Sequence, residues 1–529
     1  MMVTGGGRPG DVAWSARHAD VDRSWDHRTV RQGGEQNTGQ TRRPVTTRRD
    51  GRTNAAAAPP PWTVTDARKR REPRAVPVPL AIVVVLVGVL IAGAAFAGGS
   101  AFAASTTVAA GETSAPKAYD SAQLAPERPP GAAPLRTCSL DEITAQPGAL
   151  EFHGYAIDSQ TGEVLFDRRA GSPNPTASTM KLITAAAALT VLGPDYRIPT
   201  RVYAGELQGE VIIVGYGDVT LTSLSPGQTS YYNGATAYLS DLANQTLEAR
   251  GDQAIRAVSY DDSFYDGDEW HQTWNEQDRL DGYMPPISAL MVDGGRQGPQ
   301  SLVSLRTEKP AESAVTHFAE RLGLSAADVL GTQRVPEGAP MLAEVWSQPV
   351  SELIRYALLD SDNVVAETLA RLVAIESGAG NTYNAINPAL TQAVENLGLD
   401  AAGFTAMDGS GLSRDNRVTA RLEVALLQLV GGDEFGLGRI LDDLPASGIS
   451  GTLNTRFDPA SSGVPAASIR AKTGWIDEVY GLAGFIDSAD GTRITFAYYV
   501  AGPVQISNRD VLDSIAAATY RCGGGLADW

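Results

Sequence analysis

Apolar residues are distributed unevenly along this chain. Residues 80–97 form an unbroken run of eighteen uncharged positions drawn from Ala, Val, Ile, Leu, Gly and Phe. As a helix such a run spans about 27 Å, enough to cross a bilayer with slight thinning. Residues 1–78 before it lack apolar periodicity and read as an unstructured arm, and residues 79–99 hold the candidate anchor. Residues 100–137 are rich in Ala, Pro, Ser and Thr and read as a tether. Folded patterning starts at Cys138. Apolar stretches at 152–157 and 163–166 flank Ser159-Gln160-Thr161-Gly162, and stretches at 481–486 and 493–500 flank Asp490-Gly491. Each reads as a hairpin. Residues 510–520 have helical spacing. A hairpin near each end plus a terminal helix predicts one antiparallel sheet built from both chain ends and covered by helices, an α+β domain.

Further helices are predicted at 176–193, with Thr176 as N-cap and Gly193 as stop, at 350–359 and at 364–377. Residues 199–343 differ in character. They are strand-rich at Val211-Ile212-Ile213-Val214, rich in Gly and Asp in the middle, and helical at 311–322. They read as an insertion, which leaves 138–198 plus 344–526 as the host domain. Trp270 and Trp274 are expected to pack inside the insertion, with a sugar- or peptide-binding surface as the alternative.

Charge adds a topology. The formal net charge of −18 is a sum of +7 over residues 1–74 and −25 over the remaining 455. An acidic body repels phosphate backbones, so nucleic acid is not an expected partner. Arg68-Lys69-Arg70-Arg71 and Arg74 precede the apolar run. The positive-inside rule then keeps the arm in the cytoplasm and exports everything after about residue 99. The expectation is a single-pass cell-membrane protein held through residues 80–97. Ala101-Phe102-Ala103 resembles a cleavage site and offers a removed signal as the alternative.

The two cysteines, Cys138 and Cys522, bracket the folded region. In an exported chain such a pair is expected to be bridged, with two free buried thiols as the alternative. Two cysteines cannot build a structural zinc site or an Fe–S cluster, and His153, His271 and His317 share no metal spacing. No metal or cofactor is expected. HExxH, Walker A and GxSxG patterns do not occur, which sets aside zincins, P-loop NTPases and α/β-hydrolases.

Lysine is scarce: 5 residues against 38 arginines. Lysine can deprotonate and act as a base, whereas arginine cannot, so the lysine positions carry information. Ser178 and Lys181 are three apart at a predicted helix start and so share one face. The positive end of the helix dipole favours charge developing at Ser178, and an amine one turn away can serve as its base if burial lowers its pKa. Ser361-Asp362-Asn363 lies between two predicted helices, where a plain N-cap is the simpler reading of the triplet taken alone. Lys472-Thr473-Gly474 follows a predicted strand, where Lys and Thr can bind a carboxylate and Gly leaves room.

In the order S-x-x-K, S-x-N, K-T-G, these motifs resemble the penicillin-binding proteins and serine β-lactamases. The 183 residues from Ser178 to Ser361 narrow the resemblance to low-molecular-mass penicillin-binding proteins of the D-alanyl-D-alanine carboxypeptidase/endopeptidase group with a nested insertion. Gly215-Tyr216-Gly217-Asp218, Ile287-Ser288-Ala289-Leu290 and Asp408-Gly409-Ser410-Gly411-Leu412-Ser413 agree with it. The resemblance implies a β-lactamase/transpeptidase-like domain, an antiparallel sheet with helices on both faces. It implies peptidoglycan stem peptides as substrate and β-lactams as covalent inhibitors. Ser178 would be the nucleophile, Lys181 its base and Ser361 a proton relay to the leaving D-alanine. Asn363 would hold the substrate amide, and Lys472 and Thr473 the terminal carboxylate, with Gly474 giving clearance. Backbone N–H groups of Ser178 and Trp475 would form the oxyanion hole. Trp475 departs from the pattern, which often places a small hydroxylated residue there. A DD-endopeptidase cutting crosslinks, and a non-catalytic wall-binding or β-lactam-sensing protein, are the alternatives.

Overall fold

A computed structural model describes residues 136–527, apart from 233 and 235. The arm, the candidate membrane span and most of the tether lie outside the described residues. Among the described residues no helix is long and apolar enough to cross a membrane. The strands are β1 (Glu151–Asp158), β2 (Val164–Arg168), β3 (Pro199–Ala204), β4 (Glu210–Gly215), β5 (Ala257–Asp261), β6 (Val329–Thr332), β7 (Met341–Trp346), β8 (Ile469–Ile476), β9 (Val479–Asp487) and β10 (Arg493–Ala501). The helices used below are α1 (Met180–Ala187), α2 (Leu239–Arg250), α3 (Pro310–Arg321), α4 (Val350–Leu359), α5 (Asn363–Glu376), α6 (Ala420–Gly431) and α7 (Ile506–Cys522).

The first sheet runs β2-β1-β10-β9-β8 and is antiparallel throughout. Both predicted hairpins are present, and β10 joins them by pairing with β1. Period-two alternation divides the interior. Ile494, Phe496, Tyr498 and Val500 of β10 face Leu512, Ile515 and Ala516 of α7. Ala497 and Tyr499 face the opposite way, into the larger core with α1, α5 and α6. Helices therefore cover both faces, giving the α+β arrangement expected. Cys138 and Cys522 form a disulfide with a Cα–Cα separation of 5.5 Å, which ties the start of the domain to the end of α7.

The second sheet, β6-β5-β4-β3-β7, is mixed: β3 pairs antiparallel with β4 and β7, while β4–β5 and β5–β6 are parallel. Helices α2 and α3 cover it. It runs to Trp346, so a boundary at residue 343 falls inside β7. The inserted region is also less self-contained than its composition suggested. Tyr265, Trp274, Met284 and Ile287 are buried in the core of the host domain. Trp274 thus packs outward from the insertion and donates its indole N–H, at 2.6 Å, to Asp408.

Candidate active site

The chain enters α1 through a 3₁₀ turn, Ala177–Thr179, which carries Ser178. Thr176 does not cap this helix. Its Oγ1 is buried without a hydrogen bond, and its carbonyl accepts instead from the Thr179 hydroxyl at 2.7 Å. Ala177 adopts φ +44°, a left-handed conformation costly for a residue with a Cβ. Two glycines allow the turn to sit so tightly. A Cβ on Gly411 would lie 1.9 Å from the Ala177 carbonyl oxygen, and one on Gly474 would lie 3.1 Å from the Ala177 Cβ. The strand carrying Lys472 therefore lies against the backbone of Ser178. Every residue of α1 is buried, Lys181 included.

Lys181 Nζ donates 2.8 Å to Ser178 Oγ and 2.8 Å to Asn363 Oδ1, and also to the Ser410 carbonyl. Burial pushes the Lys181 ammonium down to about 7, against the pull of Asp408, Asp362 and Glu367. That value is compatible with a neutral amine near neutral pH. Asp408 holds the loop that presents the Ser410 carbonyl. Its carboxylate accepts from the N–H groups of Gly411 and Ser413, both at 2.7 Å, and from Asn416 Nδ2 at 2.8 Å. Glu367 accepts from Gly409 N–H at 2.9 Å, and burial together with Asp408 pushes its carboxyl up to about 8.

The corner between α4 and α5 presents the second motif. Asp362 is the N-cap of α5, accepting from Val364 N–H at 2.9 Å and Val365 N–H at 3.0 Å. The capping role thus falls on the middle residue, leaving Ser361 and Asn363 free to face the cleft. Ser361 pays with a left-handed backbone, φ +59°. Asn363 donates to the Tyr283 carbonyl at 3.2 Å.

Strand β8 supplies the third motif. Lys472 Nζ donates 2.9 Å to Ser361 Oγ and 2.8 Å to the Thr473 carbonyl. The side chain is fully buried, and burial plus the nearby Lys181 ammonium hold its pKa well below the usual lysine range. Thr473 Oγ1 donates 2.8 Å to Thr452 Oγ1. A hydroxyl does stand beside Thr473, contributed by Thr452 and not by position 475. Trp475 packs tilted against Tyr480, ring centroids 6.3 Å apart.

These elements meet at a cleft of about 520 Å³ lined by Ser178, Ser361, Asn363, Thr473, Gly474 and Trp475. Lys181 and Lys472 lie beneath it and reach it through their hydrogen bonds to the two serines. Every sequence-predicted site residue is in this cluster apart from the disulfide pair. Sequence reasoning gave no role to Asp362, Asp408, Glu367 or Thr452, and expected Trp274 inside the insertion and not beside Asp408. Asp362 and Asp408 lay within stretches already singled out, but nothing in their spacing announces a buried carboxylate. Thr452, Glu367 and Trp274 carry no local signal of this kind.

A serine on the turn that opens a helix and a lysine in that helix's first turn, a serine and asparagine at a helix corner, and a lysine on a sheet edge, all on this α+β framework, define a penicillin-binding serine peptidase. The chain belongs to the D-Ala-D-Ala carboxypeptidase 3 (S13) family, whose family model matches residues 136–304 and 296–521. It is 38% identical over 393 residues to a carboxypeptidase of Mycobacterium tuberculosis, covering 73% of this chain and 84% of that protein. It is 35% identical over 432 residues to carboxypeptidase DacB of Mycolicibacterium smegmatis, covering 77% and 92%. In fold it resembles penicillin-binding protein 4 of Haemophilus influenzae, with a TM-score of 0.58 at 21% identity, over 71% of this chain and 97% of that one. The activity expected from the motifs, a serine-type D-Ala-D-Ala carboxypeptidase, is the one this family carries.

Proposed function

We propose that the protein removes the terminal D-alanine from peptidoglycan stem peptides through an acyl-enzyme on Ser178. Neutral Lys181 takes the Ser178 hydroxyl proton as Oγ attacks the carbonyl of the penultimate D-alanine. The N–H groups of Ser178 and Trp475 receive the developing oxyanion, an effect worth a few kcal/mol, roughly, in comparable sites. The proton taken from Ser178 reaches the departing amine through Ser361; in deacylation Lys181 takes a proton from the attacking water and passes it to Ser178 Oγ as the ester breaks, which restores the neutral amine and the free hydroxyl. Lys472, Thr473 and Thr452 receive the substrate's terminal carboxylate, so Thr452 takes the place of the hydroxyl that Trp475 lacks. A carboxylate docked there favours charge on Lys472, and a charged Lys472 disfavours charge on Lys181. Substrate binding thereby prepares the base.

The observation that carries this reading is the buried Lys181 amine 2.8 Å from Ser178 Oγ. The test is mass measurement after incubation with benzylpenicillin, together with D-alanine release from a pentapeptide. One covalent adduct, absent from Ser178→Ala, and free D-alanine are expected; an adduct that persists in Ser178→Ala would overturn the assignment.

Cleavage of crosslinks is a second reading. The cleft continues beyond Trp475 to Asn454 and Arg456, which leaves room for a leaving group larger than D-alanine. Product analysis on purified crosslinked dimers separates the two reactions. We further propose that residues 80–97 hold the protein at the cell membrane with the catalytic domain outside. The apolar run behind a basic cluster supports this placement.

A further inference from the structure

Arg296 lies in the inserted region between β5 and β6, and its side chain, like that of Asp362, is 1% exposed. Its Nη2 donates 2.7 Å to Asp362 Oδ2, while Nη1 donates 2.9 Å to Tyr232 Oη and 3.1 Å to the Asp293 carbonyl. The guanidinium sits 4.1 Å from the ring centre of Tyr231 and 4.9 Å from that of Tyr232. A planar fork held on so many sides acts as a rigid strut. The other carboxylate oxygen of Asp362 caps α5. One oxygen therefore fixes where α5 begins, and the other ties that point to the insertion. Ser361 and Asn363, the neighbours of Asp362 on either side, take their positions from this pair. Arg306 supports the same wall by donating 2.7 Å to the Gly282 carbonyl, next to the Tyr283 carbonyl that receives Asn363.

The pair also governs charge beside the base. Besides burial, the groups acting on Lys181 are Asp408, Asp362 and Glu367, which favour its protonated form, while the Lys181 ammonium lowers the pKa of Lys472. Asp362 is itself faced by Arg296 and Arg306, with Asp360, Tyr231 and Tyr232 alongside. Burial alone would raise the Asp362 carboxyl, but the two arginines outweigh it and hold it below its ordinary value. Asp362 is thus an anion that favours the protonated form of Lys181, and Arg296 is the cation bonded directly to it. A lone carboxylate there would keep the proton on Lys181 and stall the attack by Ser178.

We propose that Arg296 is a positioning residue of the active site: through Asp362 it fixes the corner that presents Ser361 and Asn363, and it counterbalances a carboxylate that acts on the catalytic lysine. The insertion then completes the catalytic machinery. This inference rests on the acyl-enzyme reading of Ser178 and Lys181.

The test is the pH profile of acylation by a fluorescent penicillin, measured on the full chain with melting temperature as a check on folding. In Arg296→Met the acid limb should move up by about one pH unit, because Asp362 loses its bonded cation and keeps only Arg306. In Arg296→Met with Asp362→Asn the limb should return to the wild-type position or below, since Asn still caps the helix. Asp362→Asn alone should move the limb down, which covers the case in which Arg296→Met does not fold. An acid limb that stays in place in both the single Asp362→Asn variant and the folded Arg296→Met variant overturns the proposal, even if the rates fall. Wild-type protein that is not acylated at Ser178 would instead sink the underlying reading.

Discussion

Lys472 and Ser361 are 111 residues apart in sequence, yet Lys472 Nζ holds Ser361 Oγ at 2.9 Å. Ser361 keeps a left-handed backbone, φ +59°, to meet it. The contact joins the groups assigned to carboxylate binding and to leaving-group protonation, so a change at Lys472 should disturb both. Lys472→Arg keeps the charge but replaces a compact ammonium with a wide fork. It should leave folding intact and lower kcat/KM at least tenfold, about 1.4 kcal/mol of transition-state stabilisation. Thr452→Val should act in the same direction but more weakly. Both losses should shrink on a substrate whose terminal carboxylate is amidated. Equal losses on free and amidated substrates would show that these residues do not read the carboxylate.

The Lys181 amine must be neutral to accept the serine proton, and burial has brought its pKa to about 7. The acylation rate should therefore be high above that pH and fall about tenfold per unit below it. Stopped-flow acylation between pH 5 and pH 9, roughly the working window of such a base, reads this directly. A flat profile down to the acid end would remove Lys181 from the role of base.

Gly411 tests the turn under the nucleophile. Ala at this position would place its methyl 1.9 Å from the Ala177 carbonyl oxygen, at a backbone φ of +88°. Gly411→Ala should cost about 2 kcal/mol of stability or more and lower the acylation rate by tenfold or more. Gly171→Ala is the control, since a Cβ there meets nothing within 4 Å. Thermal melts and acylation kinetics on the two variants should diverge.

Cys138 and Cys522 close a loop with a sequence separation of 384. Replacing both with Ala should destabilise the protein by about 2–5 kcal/mol. The bridge lies against α7, on the far side of the first sheet from α1. The acylation rate of the still-folded protein should change by less than about twofold, a surface-mutation-sized effect. A large loss of rate with an unchanged denaturation midpoint would contradict that separation of roles.

If residues 80–97 hold the protein at the membrane, protease added to wall-stripped cells should digest the chain beyond residue 100 and spare the arm. Digestion of the arm alone would reverse the orientation.

Much of the framework was legible because its signals are local. Ser178 and Lys181 are one turn apart, and the strands of the first sheet alternate over short spans between turn residues. The second sheet was read only as strand-rich, because short apolar runs such as β4 do not declare whether their partners are parallel. The end of the insertion was misplaced because β7 crosses residue 343 without a change in composition. Thr176 fitted the pattern of a cap, but the chain reaches α1 through a 3₁₀ turn that Gly411, more than 200 residues later, permits. Arg296 and Asp362 are 66 residues apart, and a single sequence gives no hint that they pair.

Among the described residues, the sheet order β2-β1-β10-β9-β8 places the last three strands to be synthesised beside the first two. A ribosome makes the chain from the N-terminus, so Ser178 and Lys181 exist long before β8 does. Until β10 pairs with β1, the strand bearing Lys472 has no fixed place against the nucleophile turn. The unfinished polypeptide therefore carries its reactive pair without a working site. Hydrolytic competence arrives only once β8 to β10 have been made and β10 has closed onto β1 across more than 300 residues of chain, the kind of distant pairing that is slow to form.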